Sequence, residues 1–216
     1  MTPTLTEIAK AFSRVLGVTL EPGFSAEPGG GASANSGITA TTTSSSSSAP
    51  SPATTAPPAT QASTGTAVPA GLTTPAAPTA GMIPSSPIVF TEHASRGWHL
   101  DVTVTAPQVL DTARLMDRLG FCLDMVTGVD WMAQQAMEVV YDYLHFDSSV
   151  RVVVRTRVPR EAAEVPTISE IFPGANWHER ETHEFLGIRF AGHPNLTPLL
   201  LPEDATFHPL RKDFVA

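Results

Sequence analysis

The sequence is short of several things, and each shortage closes off a class of function. Its 216 residues include one cysteine, Cys122. A single thiol makes no disulfide within the chain and cannot hold an iron–sulfur cluster, which takes four thiolates. From its apolar neighbours, Cys122 is expected to be a buried thiol. No run of apolar residues has the length needed to span a bilayer. Basic residues are few and unclustered: the net charge is −8, and from Ile88 onward 18 acidic residues stand against 11 basic ones. That balance excludes a nucleic-acid partner. Arg151, Arg155 and Arg157 read instead as a solvated sheet face or a protein contact. There is also no G-x-G-x-x-G or phosphate loop for a nucleotide.

One shortage is local. No aromatic residue lies between Phe24 and Phe90, and no charged one between Glu27 and Glu92. Ala, Thr, Ser, Pro and Gly fill the interval, which cannot bury enough apolar surface to offset about 1–2 kcal/mol of backbone entropy per residue. Residues 23–87 are therefore expected to form a long disordered linker, polyproline-like around Pro50 to Pro52 and at Pro57-Pro58. An O-glycosylated stalk shares that composition. However, Met1 to Leu20 does not read as a secretory signal, because Lys10 and Arg14 interrupt its apolar positions. Residues 1–22 read as a short amphipathic helix, with Leu5, Ile8, Phe12, Val15 and Leu16 near one face.

Regular patterning resumes near Ile88. From His99 to Thr105 the residues alternate, with Leu100, Val102 and Val104 on one side. Pro107 suits the first turn of a helix whose inner face is Val109, Ala113 and Met116, and Gly120 closes it. Asp111 and Arg114 can pair on its surface. Phe121 to Val126 reads as a second strand, followed by Gly128-Val129-Asp130. Met137 to Phe146 is a third, with Met137, Val139, Tyr141 and Tyr143 inward. After the turn residues Asp147-Ser148-Ser149, Val150 to Val158 is a fourth, with Val150, Val152 and Val154 inward. The expected fold class is α+β, a split-βαβ ferredoxin-like sheet with helices on one face, spanning residues 88–190.

The densest information is in the last forty or so residues. Thr167 or Ser169 can cap a helix, Pro173-Gly174 punctuates it, and nothing from Ala175 to Leu186 breaks it. Trp177, Glu181 and Glu184 share one face, Arg180 and Glu184 are four apart, and Gly187 sits where a left-handed C-cap belongs. Ile188 and Phe190 alternate with Arg189 as in a short strand. From Gly192 on, Pro194, Pro198, Pro202 and Pro209 exclude regular structure, so residues 191–216 are expected to be an extended tail. Leu199-Leu200-Leu201 in such a tail must lie against something.

Several chemistries fail on this stretch. His178 and His183 are five apart, which turns them roughly 140° from each other on a helix, so they do not chelate one metal as His-Glu-x-x-His does. Seven scattered histidines read as surface or hydrogen-bonding residues. Glu179, Glu181 and Glu184 could be paired acids for hydrolysis, but no second acidic cluster accompanies them. An ion-pair lattice with Arg180 and Arg189 is the plainer expectation.

Three parts of the C-terminal sequence carry a resemblance. They are the triplet Glu179-Arg180-Glu181 with Glu184 and Gly187 following, the turn His193-Pro194-Asn195-Leu196, and the end Pro209-Leu210-Arg211-Lys212-Asp213-Phe214. In this order and spacing, with the Asp124 to Asp130 and Val139 to Tyr141 segments, they resemble the 30 kDa subunit family of proton-pumping NADH:quinone oxidoreductase (respiratory complex I). The equivalent subunit of energy-converting membrane-bound [NiFe] hydrogenases is similar. The resemblance implies a non-redox scaffold without catalytic, cofactor or metal residues. Flavin mononucleotide, iron–sulfur clusters and quinone, or nickel–iron, belong to the partner subunits. It also implies docking on the quinone-site subunit and on adjacent iron–sulfur subunits, with only indirect membrane contact on the cytoplasmic side of a bacterial inner membrane. The residues so marked as family motif and subunit interface are Trp177, Glu179, Arg180, Glu181, Glu184, Gly187, His193, Pro194, Pro209, Leu210, Arg211, Lys212 and Asp213. Arg211 in particular is expected to meet a partner, and its loss to leave the isolated domain folded. The sequence departs from the quinone-enzyme pattern in three ways: Glu184 in place of Asp, Thr197 in place of a base, and a chain stopping almost at the motif. A hydrolase using the His/Glu helix and a binding module on a stalk are the readings of other classes, and spacing and the N-terminal residues speak against them.

Overall fold

The computed structural model describes residues 2–19 and 87–215. The linker read at 23–87 lies outside the described residues, apart from Pro87. Helix α1 spans Leu5–Leu16 and begins at a Thr4 capping box closed by Glu7. Its Ile8, Ala9 and Phe12 are fully buried and join the main hydrophobic core, where α1 packs on α3 (Val109–Arg118) and on the edge strand β1 (Ile88–Phe90). A short helix α2 (His93–Arg96) then leads into β2 (Leu100–Val104).

The main sheet holds β1, β2, β3 (Cys122–Trp131), β4 (Ala136–His145) and β5 (Val150–Pro159) in the order β1-β2-β5-β4-β3. Strand β2 pairs in parallel with β5, and the remaining neighbours are antiparallel. Hence β2 and β3 run the same way with two strands between them, and α3 crosses over that gap. A second sheet pairs β6 (Glu164–Pro166) with β7 (Arg189–Ala191) in parallel. Between them comes α4 (Ala175–Leu186). This is an α+β protein with a mixed sheet and few helices.

The period-two pattern places the core where expected. Leu100, Val102, Val104, Met137, Val139, Tyr141, Tyr143, Val150, Val152 and Val154 are all buried on the helix-covered face, as are Val109, Ala113 and Met116 of α3. The Asp111–Arg114 pair forms at 3.1 Å. Four expectations need correction. Gly128-Val129-Asp130 does not lie beyond β3; it continues the strand, paired with Val139, Glu138 and Met137. A side chain at position 128 would collide with Leu186 and Thr182, so the missing Cβ is what lets α4 lie close against the strand. Cys122 is exposed, because β3 is an edge strand and Cys122 is its first residue. The sheet arginines are not simply solvated. Arg151 holds Asp124 and Asp142, Arg155 holds Asp101, and Arg157 holds Glu138 while lying 4.7 Å over the Trp131 ring. The ion-pair lattice expected on α4 is thus found on the open face of the sheet instead.

Candidate functional site: helix α4 and the tail it shapes

The fourth correction concerns α4 itself. Neither Thr167 nor Ser169 caps it; the N-cap is Gly174, which makes no side-chain bond. Thr167 is used differently. Its hydroxyl lies 2.5 Å from Glu179 Oε2, and the Ile168 N–H donates to Glu179 Oε1 at 2.8 Å. Glu179 is fully buried, and among the described residues no lysine or arginine pairs with its carboxyl group. Burial pushes its pKa up to about 7, against the opposing pull of the Ile168 amide and the Thr167 hydroxyl. The buried His193 side chain approaches Glu179 at 3.9 Å but meets the Asn176 carbonyl through Nε2 and accepts from Asn195 N–H through Nδ1. Burial holds the His193 pKa below its ordinary range.

One turn on, Glu184 is buried too. Its carboxylate gathers three successive backbone amides, those of Leu199, Leu200 and Leu201, at 2.7–3.2 Å. Arg180 does not reach Glu184. It donates to the carbonyls of Thr197 and Pro198 and lies 5.4 Å over the Trp177 ring. A tail too rich in proline to satisfy its own backbone is satisfied here by one carboxylate and one guanidinium from a single helix. Arg189 pairs with Glu164 across the small sheet, and Glu181 is exposed.

The C-terminal end of α4 is closed by the tail. Gly187 takes a left-handed conformation at φ 75°, with the Arg211 guanidinium and His208 ring packed where a Cβ would be. Arg211 Nε donates to the Leu186 carbonyl at 2.7 Å, His208 Nδ1 meets the Glu184 carbonyl, and Leu210 N–H donates to Phe185. These are helix carbonyls without intrahelical partners, and a cation suits that negative end. Arg211 therefore has an internal partner.

Farther out, Asp213 binds Arg160 at 2.6 Å, and Lys212 N–H donates to Asp130. Among the marked residues, Trp177 (58% exposed), Leu210 (62%), Pro194 and Lys212 face outward, while Pro209 is partly covered. The exposed apolar surface extends to Leu200, Phe207, Phe214 and Val215, with the Phe207 and Phe214 rings stacked 5.6 Å apart. The sequence reading missed Thr167 and Ile168 as partners of Glu179, His208 as a cap, and Arg160. None has a spacing signal, because each meets its partner across 11 to 53 residues. Among the described residues no group of three or more His, Cys, Asp or Glu could hold a metal ion. His99, His145, His183, His193 and His208 each meet a backbone group. No helix of the described residues is long and apolar enough to cross a membrane.

Fold and site together define an α+β domain in which one helix builds and displays an irregular tail. The family described as "Respiratory-chain NADH dehydrogenase, 30 Kd subunit" matches residues 102–216, and the chain belongs to that family. The C subunit of NADH-quinone oxidoreductase from Roseiflexus castenholzii is 41% identical over 120 residues, covering 53% of this chain and 68% of that protein. The C subunit of F(420)H(2) dehydrogenase from Methanosarcina mazei is 41% identical over 90 residues, covering 41% and 57% respectively. Among solved structures, one protein of the membrane-bound sulfane sulfur reductase, an archaeal respiratory membrane complex, superposes with a TM-score of 0.53 at 28% identity. That match covers 60% of this chain and 78% of the other.

Proposed function

We propose that this chain is a non-redox scaffold subunit in the peripheral arm of a proton-pumping NADH:quinone oxidoreductase. It docks on the quinone-site subunit and adjacent iron–sulfur subunits at the cytoplasmic side of the membrane. FMN, iron–sulfur clusters and quinone reside in those partners and electrons do not pass through this chain. The same reading takes the main sheet as a ferredoxin-like split-βαβ layer, supported by the α3 crossover between β2 and β3. The observation that carries the docking role is the use of Glu184 and Arg180: both hold backbone of a tail that leaves Trp177, Leu200, Leu210 and Phe214 uncovered. Apolar side chains kept in water by a built framework mark a protein contact. The second reading is the equivalent subunit of an energy-converting [NiFe] hydrogenase, favoured by Glu184 and Thr197. Affinity purification of the tagged protein from solubilised membranes tests both. Recovery with flavin- and NADH-binding subunits supports the first, recovery with hydrogenase-type subunits alone supports the second, and recovery without partners rejects docking.

A further inference from the structure

The tail from Gly192 to Val215 contains no helix or strand, so side-chain contacts set its path. Two of the three contact groups described above come from α4 itself: Glu184 with Arg180, and the helix end with His208 and Arg211. They fix the tail relative to the helix. Only the third group ties its end to the main sheet. Asp130, at the end of β3, is buried and takes two parallel bonds at 2.9 Å from Arg160, a buried residue just after β5. Each partner then extends one further bond to the tail. Asp130 Oδ2 accepts from Lys212 N–H at 2.9 Å, and Arg160 donates through its Nη2 to Asp213 Oδ1 at 2.6 Å. Residues separated by 30, 53 and 82 positions thus meet in one cluster.

The charges are arranged for this task. Two carboxylates flank one guanidinium, and the Arg160 bond lowers the pKa of both Asp130 and Asp213. A bidentate fork fixes direction as well as distance, which a lysine ammonium does not. The turn so held carries Leu210 and Phe214, and the Phe214 N–H returns to the Arg211 carbonyl.

We infer that Arg160 and Asp130 are positioning residues for the docking surface: they clamp the tail's last turn to the sheet and thereby present Leu210 and Phe214 in one fixed arrangement. This rests on the docking role proposed above. Asp130 and Arg160 lie outside the C-terminal motif, the first on β3 and the second just after β5.

The test uses the full-length protein with Asp213→Asn, Asp213→Glu and Arg160→Lys. The first touches a half-exposed side chain, so folding is not at stake; the second is the conservative rescue. Hydrogen exchange of the amides from Leu210 to Phe214, thermal melts and native electrophoresis of membranes are read together. Asp213→Asn and Arg160→Lys should each speed exchange of those amides by about tenfold while leaving the core amides of β4 and β5 unchanged. Both should also reduce incorporation into the membrane complex, and Asp213→Glu should restore both readouts. Unchanged exchange in both variants would overturn the clamp. Faster exchange with full incorporation would leave the clamp as a tail anchor and overturn the docking reading.

Discussion

At the scale of single residues, Glu179 and Arg211 are where the physics is most specific. A buried carboxyl without a cation holds its proton more tightly in the folded chain than in the unfolded one. Its pKa is about 7 when folded against an ordinary 4.5. The stabilisation from that bound proton is complete below pH 4.5 and is lost as pH rises through 7, by about 3 kcal/mol in all. His193 works in the opposite direction, since its lowered pKa removes stability as pH falls. Comparing Glu179→Gln with the parent cancels the histidine. The amide variant should gain relative stability of about that size between pH 4.5 and pH 8, measured by urea unfolding at several pH values. A constant difference across that range would show that the carboxyl is ionised throughout. For Arg211, the bond to the Leu186 carbonyl means that Arg211→Ala removes a helix C-cap. The expected loss is about 1 kcal/mol, read as a melt lowered by a few degrees. An unaltered melt would return the residue to a purely intermolecular role.

At the scale of elements, the sheet and the tail make opposite demands. Val152 is fully buried on β5, the central strand of the main sheet, paired with Leu100 on one side and Tyr143 on the other. Val152→Asp would place an unpaired carboxylate there at a cost of several kcal/mol, enough to unfold most domains of this size. Circular dichroism of the variant should show no cooperative transition. Deleting the residues from Pro209 onward should do something different. It uncovers the end of α4 and the Asp130–Arg160 pair but leaves the strands intact, so the domain should still melt cooperatively at a lower temperature. Incorporation into the membrane complex should fail. Full assembly of the truncated protein would remove the tail from the interface.

At the scale of the whole molecule, the proposed role involves no chemistry of its own: the protein shapes surfaces and its partners carry electrons. Purified alone, it should oxidise no NADH and hydrolyse no ester or peptide, and it should contain no stoichiometric iron, zinc or flavin by elemental analysis and absorbance. A metal at one equivalent per molecule would end that reading.

What the sequence determined by itself depends on near neighbours, above all on periodicity. Alternation fixed which residues of β2, β4 and β5 turn inward, because side chains along a strand switch faces with period two. The helix from Ala175 to Leu186 and its left-handed Gly187 were equally legible, as was the irregularity of a proline-rich tail. The family motif, too, was visible as a string of residues before any contact was known. Only the tertiary structure decided what those motif residues hold. Glu184 gathers three tail amides rather than pairing with Arg180, Arg180 turns to two carbonyls, and Glu179 is buried against the Thr167 hydroxyl and the Ile168 amide, which raises its pKa. Cys122 faces water because β3 lies at the sheet edge, and Gly128 is a seat for α4 inside β3 rather than a residue beyond the strand's end. Arg160 gave no sign of its role. Each of these depends on groups brought together across tens of residues, and local pattern encodes periodicity and propensity but not which distant partner fills the space a side chain faces.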